Sequence, residues 1–116
     1  MDADPHVREL ARSLLHRAAE LVGHGWAQRA EARAEDGRAV DPWEPNARAW
    51  SLLGALVASV EEHDRGRSEL PLEALAVALT SLAAFVDEDS MARWNDRELR
   101  KQDDVVGALR AAAVRV

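Results

Sequence analysis

Trp94-Asn95-Asp96 sets an indole, a carboxamide and a carboxylate side by side, the sharpest chemistry-bearing cluster in the chain. A carboxylate such as Asp96 can act as a general acid or base if a neighbouring Glu or His shares its cleft. The same three residues can equally form a contact surface for a polar ligand or partner. Trp26 and Gln28, two positions apart, are candidates for the same surface, and Trp50 can close a pocket with Trp26 and Trp94. Each residue also has a purely architectural reading. Asn95 or Asp96 can cap a helix or close an Asx turn while Trp94 packs the core. Trp26 can seal one end of the core with Gln28 bonded to nearby backbone. Trp50, at helical spacing with Leu53 and Val57, reads as core.

Other constellations point less firmly to chemistry. Carboxylates cluster at Glu61-Glu62-His63-Asp64, Asp87-Glu88-Asp89 and Asp103-Asp104. A hard cation needs converging oxygens and usually a glycine-bent loop, which Asp87-Glu88-Asp89 lacks. His6, His16, His24 and His63 follow no metal-ligand spacing, and no serine sits in a G-x-S-x-G turn. There is no phosphate loop or dinucleotide fingerprint, so no metal and no cofactor is expected, and catalysis is the weaker reading. With no cysteine there is no disulfide or thiolate chemistry.

Twenty-one acidic against fifteen basic residues leave a net charge of −6, which repels a phosphate backbone at long range. A specific DNA-binding regulator would need a basic face. Its only local candidates, Arg93, Arg97, Arg100 and Lys101, are diluted by Asp96, Glu98, Asp103 and Asp104. No apolar run approaches the length of a membrane span, and the polar, acidic opening Met1–Pro5 does not resemble a signal peptide. A cytoplasmic protein is expected.

These residues must be positioned by a framework the chain also encodes. The 116 residues fit one domain over 1–116, with 1–5 expected as a disordered tail, and suffice for a single core. Apolar positions Val7, Leu10, Leu14, Leu15, Ala18, Leu21 and Val22 recur at helical spacing, with Asp4-Pro5 as the start and Gly23 and Gly25 as the stop. Residues 26–40 alternate with a period of two and contain Asp36-Gly37, which predicts a β-hairpin despite helix-favouring composition. Asp41-Pro42-Trp43-Glu44-Pro45 is a rigid connector. A helix is then expected from about Asn46 to His63, with Ala47, Trp50, Leu53, Val57 and Val60 on its buried stripe, widened by Leu52 and Leu56. Gly54 within it implies close approach of another backbone. After a loop at Arg65–Ser68, Pro71 opens a helix burying Leu72, Leu75, Leu79, Leu82, Phe85 and Val86. Ser90 caps a short turn through Trp94, and a last helix covers about Gln102 to Arg115 with Asp103 and Asp104 in its first turn.

Four pieces taken together resemble a family of small actinobacterial and actinophage proteins: Gly25-Trp26-x-Gln28, Asp36-Gly37-x-x-Val40-x-Pro42, Pro45-x-Ala47-x-x-Trp50-x-Leu52-x-Gly54-Ala55-Leu56, and Trp94-Asn95-Asp96. The resemblance runs from Leu15 onward and implies a domain of unknown function, sometimes associated with mobile elements or specialised gene clusters. It also implies Cys at position 51, where this chain has Ser51, and a capping Thr where it has Lys101.

The expected architecture is α+β and mostly α: four helices around one core, with a β-hairpin between the first and second, and Trp26, Trp50 and Trp94 meeting near it. The expected function is a non-catalytic interaction module binding a protein partner or small ligand at a Trp-lined edge formed by Trp26, Gln28, Trp50, Trp94, Asn95 and Asp96. The alternatives are a small enzyme using Asp96 and, further off, a DNA-binding regulator. The Ala-rich last helix and the hairpin edge also leave room for a homodimer.

Overall fold

The computed structural model describes residues 4–64 and 71–116; the loop expected at Arg65–Ser68 and the first three residues of the expected tail lie outside them. Five helices and one three-stranded sheet form among the described residues, so the α+β, mostly helical class is met with one more helix than expected. Helix α1 spans Pro5–His24, with the Asp4 side chain accepting from His6 N and Gly25 N returning to Leu21 O. Asp4 and Pro5 therefore belong to the helix start, not to a tail. Its buried face, Ala11, Leu14, Leu15, Ala18, Ala19, Leu21 and Val22, follows the predicted stripe closely.

The hairpin is present but shorter than the alternation suggested. Strands β1 (Ala32–Ala34) and β2 (Ala39–Val40) pair antiparallel across Asp36-Gly37, where Gly37 takes a left-handed φ of 87°. Residues 26–31 are not strand. The backbone bends there, and Arg29 holds a left-handed φ of 62°. A third strand, β3 (Ala47–Trp50), pairs antiparallel with β1, giving the order β2-β1-β3.

This strand occupies the first turn of the helix expected from Asn46. Helix α2 instead spans Leu52–Asp64, and Trp50 is a half-buried strand residue, not a helical core residue. The physical cause is tertiary. Trp50 N donates to Gly25 O at 2.9 Å and Trp50 O accepts from Ala27 N at 3.1 Å, so backbone pairing outweighs local helix preference. The buried stripe of α2 shifts accordingly to Leu52, Ala55, Leu56, Ser59 and Val60, leaving Leu53 and Val57 half-buried.

Gly54 makes the close approach its sequence position implied. A Cβ there would collide with the carbonyl of Glu31. Ser51 N donates to the same carbonyl at 3.0 Å, so the loop before β1 lies directly on the start of α2.

Helix α3 (Leu72–Ala83) packs differently from expectation. It buries Ala74, Ala78, Ser81 and Leu82, while Leu72 is 61% exposed and Phe85 38% exposed. Small residues let α3 approach α1 and α5 closely, and Ser81 Oγ donates to Ala112 O at 2.7 Å in that seam. Helix α4 (Met91–Asp96) is the short turn started by Ser90, whose Oγ accepts from Arg93 N. Helix α5 (Gln102–Arg115) starts where expected, and the carboxylate that caps it is Asp104, accepting from Lys101 N at 2.9 Å. Its Ala-rich face, including Ala108, Ala112 and Ala113, is buried within the chain against α1 and α3. No described helix is long and apolar enough to cross a membrane.

Candidate functional site

The sequence candidates converge on Asn95, which is fully buried at 0% exposure. Its Oδ1 accepts from Trp26 Nε1 at 2.9 Å and from Leu52 N at 3.0 Å. Its Nδ2 donates to Ala27 O at 2.9 Å and to Asp96 Oδ1 at 3.0 Å. A carboxamide has two acceptor lone pairs and two donor hydrogens, so every capacity of this side chain is used. Burial without such pairing would be costly; with it, the amide becomes a rigid junction.

The neighbours complete the same junction. Gln28 Nε2 donates to Asn95 O and Arg97 O, both at 3.0 Å. Asp96 Oδ1 also accepts from Arg29 N at 2.9 Å, which holds the left-handed residue in place. Arg33 ties the loop from its other side, donating to Gln28 O and Gly37 O. At the start of α2, Ser51 Oγ accepts from Gly54 N while Asn95 takes Leu52 N, so one helix end is capped both locally and from 43 positions away.

The tryptophans divide by role. Trp26 and Trp50 meet through a parallel backbone bridge, and Trp94 reaches the same region through its neighbour Asn95. Trp94 is 5% exposed, and the Arg100 guanidinium lies 3.8 Å from its ring centroid while Arg100 Nε donates to Trp94 O. Trp50 directs its Nε1 to Pro42 O at 3.0 Å. Trp43, which the sequence places in a rigid connector, is 50% exposed. Its setting between Pro42 and Pro45 is the available signal: an indole on a proline-stiffened segment with no periodic partner.

Two recesses bear on function. Asp96 lines a small one of about 230 Å³ with Arg29, Glu31, Ser51 and Leu53, but its Oδ1 already receives two donors. The other, about 270 Å³, lies between α1, α2 and the β2–β3 connector and is lined by Trp43, Trp50, Glu44, Glu61, Glu62 and Arg17, among others. Arg17 Nε stands 3.2 Å from both Glu62 carboxylate oxygens and closes that cleft on the α1 side. Beyond this ion pair the α1–α2 groove continues past Leu10, Leu14 and His63.

Two of the four basic candidates, Arg97 and Arg100, are engaged locally. Arg97 binds Glu88 at 2.6 Å, and Arg100 stacks on Trp94. The hydrogen bond and charge of Arg97 hold the Glu88 carboxyl below its ordinary range, against an opposing desolvation, and Glu88 raises Arg97 in return. Glu88 Oε2 is buried without a hydrogen-bond partner among the described residues. Those residues bring together no group of three or more His, Cys, Asp or Glu able to hold a metal ion.

A family of unknown function, DUF6197, matches residues 6–115, and the chain belongs to that family. No curated protein and no solved structure matches the chain.

Proposed function

We propose that the protein is a non-catalytic interaction module that takes its ligand or partner at the cleft under Trp43, on a face held in shape by the Trp26–Asn95 junction. The observation that supports this reading is a contrast between polar groups. Asn95 has no bonding capacity to spare, and Asp96, Gln28 and the Trp26 indole are bonded within the same junction. Trp43, by contrast, leaves half its surface to solvent beside an open cleft. Interaction sites are enriched in such rigid, partly exposed aromatics. The Trp-lined edge expected from sequence thus keeps Trp50 as a contact residue, whereas Trp26, Gln28, Trp94, Asn95 and Asp96 serve as its support.

The test is a pull-down from the native host with wild type, Trp43→Ala and Asn95→Ala. Trp43→Ala should retain wild-type circular dichroism and melting temperature yet lose the species that wild type retains. Retention of every such species by well-folded Trp43→Ala protein would refute the reading.

A further inference from the structure

We infer that the cleft under Trp43 receives an organic cation: a guanidinium or ammonium group on a short apolar stem. This inference rests on the binding-module reading and names the chemistry of its ligand. Size is the first argument. The cleft's volume of about 270 Å³ gives room for one side-chain-sized group.

Charge is the second. The lining sets three carboxylates, Glu44, Glu61 and Glu62, against one guanidinium, Arg17. That guanidinium is already committed, with Nε 3.2 Å from Glu62 and Nη1 3.8 Å from Glu20. Glu44 and Glu61 make no ion pair among the described residues. An anion entering the cleft would meet uncompensated negative charge, whereas a cation would supply what is missing. The net charge of −6 steers ligands in the same sense.

The walls are the third. Trp43 and Trp50 offer indole surface, which attracts cations through the negative face of the ring and covers an apolar stem. Trp50 directs its only donor to Pro42 O, so it has none left for an anion. Aromatic walls with unpaired carboxylates discriminate for positive charge twice over.

The protein's four tryptophans give a direct readout, because each indole N–H yields its own signal in a ¹⁵N-resolved NMR spectrum. The full chain is titrated at low salt with agmatine, with the arginine tripeptide acetyl-Gly-Arg-Gly-amide, and with N-butylurea as an uncharged counterpart. The expected result is a saturable shift of the Trp43 and Trp50 signals with both cations, at least about tenfold tighter than with N-butylurea. The Glu44→Gln/Glu61→Gln double variant should weaken cation binding by about tenfold, and added salt should weaken it further. Tighter binding of the tripeptide upholds the inference with a partner's basic side chain as the source; tighter binding of agmatine upholds it with a free amine. Equal binding of N-butylurea, or an unaffected double variant, overturns the cation assignment while leaving a binding cleft in place. If neither cation moves Trp43 or Trp50, the inference fails, and the pull-down with Trp43→Ala decides separately on the module reading.

Discussion

The indole Nε1 of Trp26 donates to the side-chain oxygen of Asn95 at 2.9 Å across 69 positions of sequence. The same oxygen accepts the first amide of α2, so a loop, a helix start and a short distant helix share one atom. That atom organises the loop between α1 and β1, the segment in which secondary-structure preference and alternation disagree.

Replacing Asn95 with Ala should cost about 3 kcal/mol or more, since it strands the Trp26 and Leu52 N–H groups and the Ala27 carbonyl together. Asn95→Asp should also destabilise, because Ala27 O loses its donor and a new carboxylate faces Asp96. Urea denaturation of both variants checks this, and a loss near zero would show that water replaces the amide.

Gly54→Ala reverses the usual rule for helix interiors, where Ala is favoured over Gly by about 1 kcal/mol. Here the added methyl meets the Glu31 carbonyl, a backbone atom that cannot swing aside. A net loss of about 2 kcal/mol or more is expected from the overpacking. Denaturation midpoints decide it, and a stabilised variant would mean that the loop can move off the helix.

Trp43→Ala and Trp50→Ala should separate cleanly. Trp43 is half exposed, so its removal should change stability by no more than about 0.5 kcal/mol. Trp50 is bonded to Pro42 and packed against the core, so its loss should cost about 2–3 kcal/mol. Thermal and chemical melts of the two variants provide the comparison.

The Glu88–Arg97 pair predicts a pH dependence with a definite sign. The folded-state acidity of Glu88 is depressed by Arg97, so its contribution to stability is present above the ordinary glutamate range. It is lost as pH falls through the lowered folded value. Glu88→Gln should therefore be less stable than wild type at neutral pH, and the difference should close on acidification. A constant difference from neutral to acid pH would show that the ion pair contributes nothing.

Much of this arrangement is legible in the sequence. The stripe Leu14, Leu15, Ala18 and Leu21 defines α1, Asp36-Gly37 marks the hairpin turn, and Gly54 announces a backbone contact whose partner is Glu31. Strand β3 is hidden because Trp50, Leu53 and Val57 mimic a helical stripe while the partner that pairs with Trp50 lies some twenty residues earlier. The buried face of α3 is hidden for another reason. Large apolar residues signal burial in general, yet the small Ala74 and Ala78 take the core face while Leu72 stays exposed.

The site is legible in composition but not in role. Trp-Asn-Asp beside a Trp-x-Gln marks residues that need partners, and a lone sequence cannot say whether the partner is a ligand or the chain itself. Here the partners are internal. The connector Asp41–Pro45 looks like mere spacing, because nothing local reveals that α1 and α2 bring Arg17, Glu61 and Glu62 beside Trp43.

Because α2 borrows its first cap from a residue 43 positions later, synthesis order matters to this chain. While residues 91–96 remain inside the ribosome, the emerging Leu52 amide and Trp26 indole have no Asn95 to bond. The sheet's own pairing bonds all lie between residues 25 and 50 and need nothing from the back half. What waits for the back half to clear the exit tunnel is the acceptor for that indole and that helix-start amide.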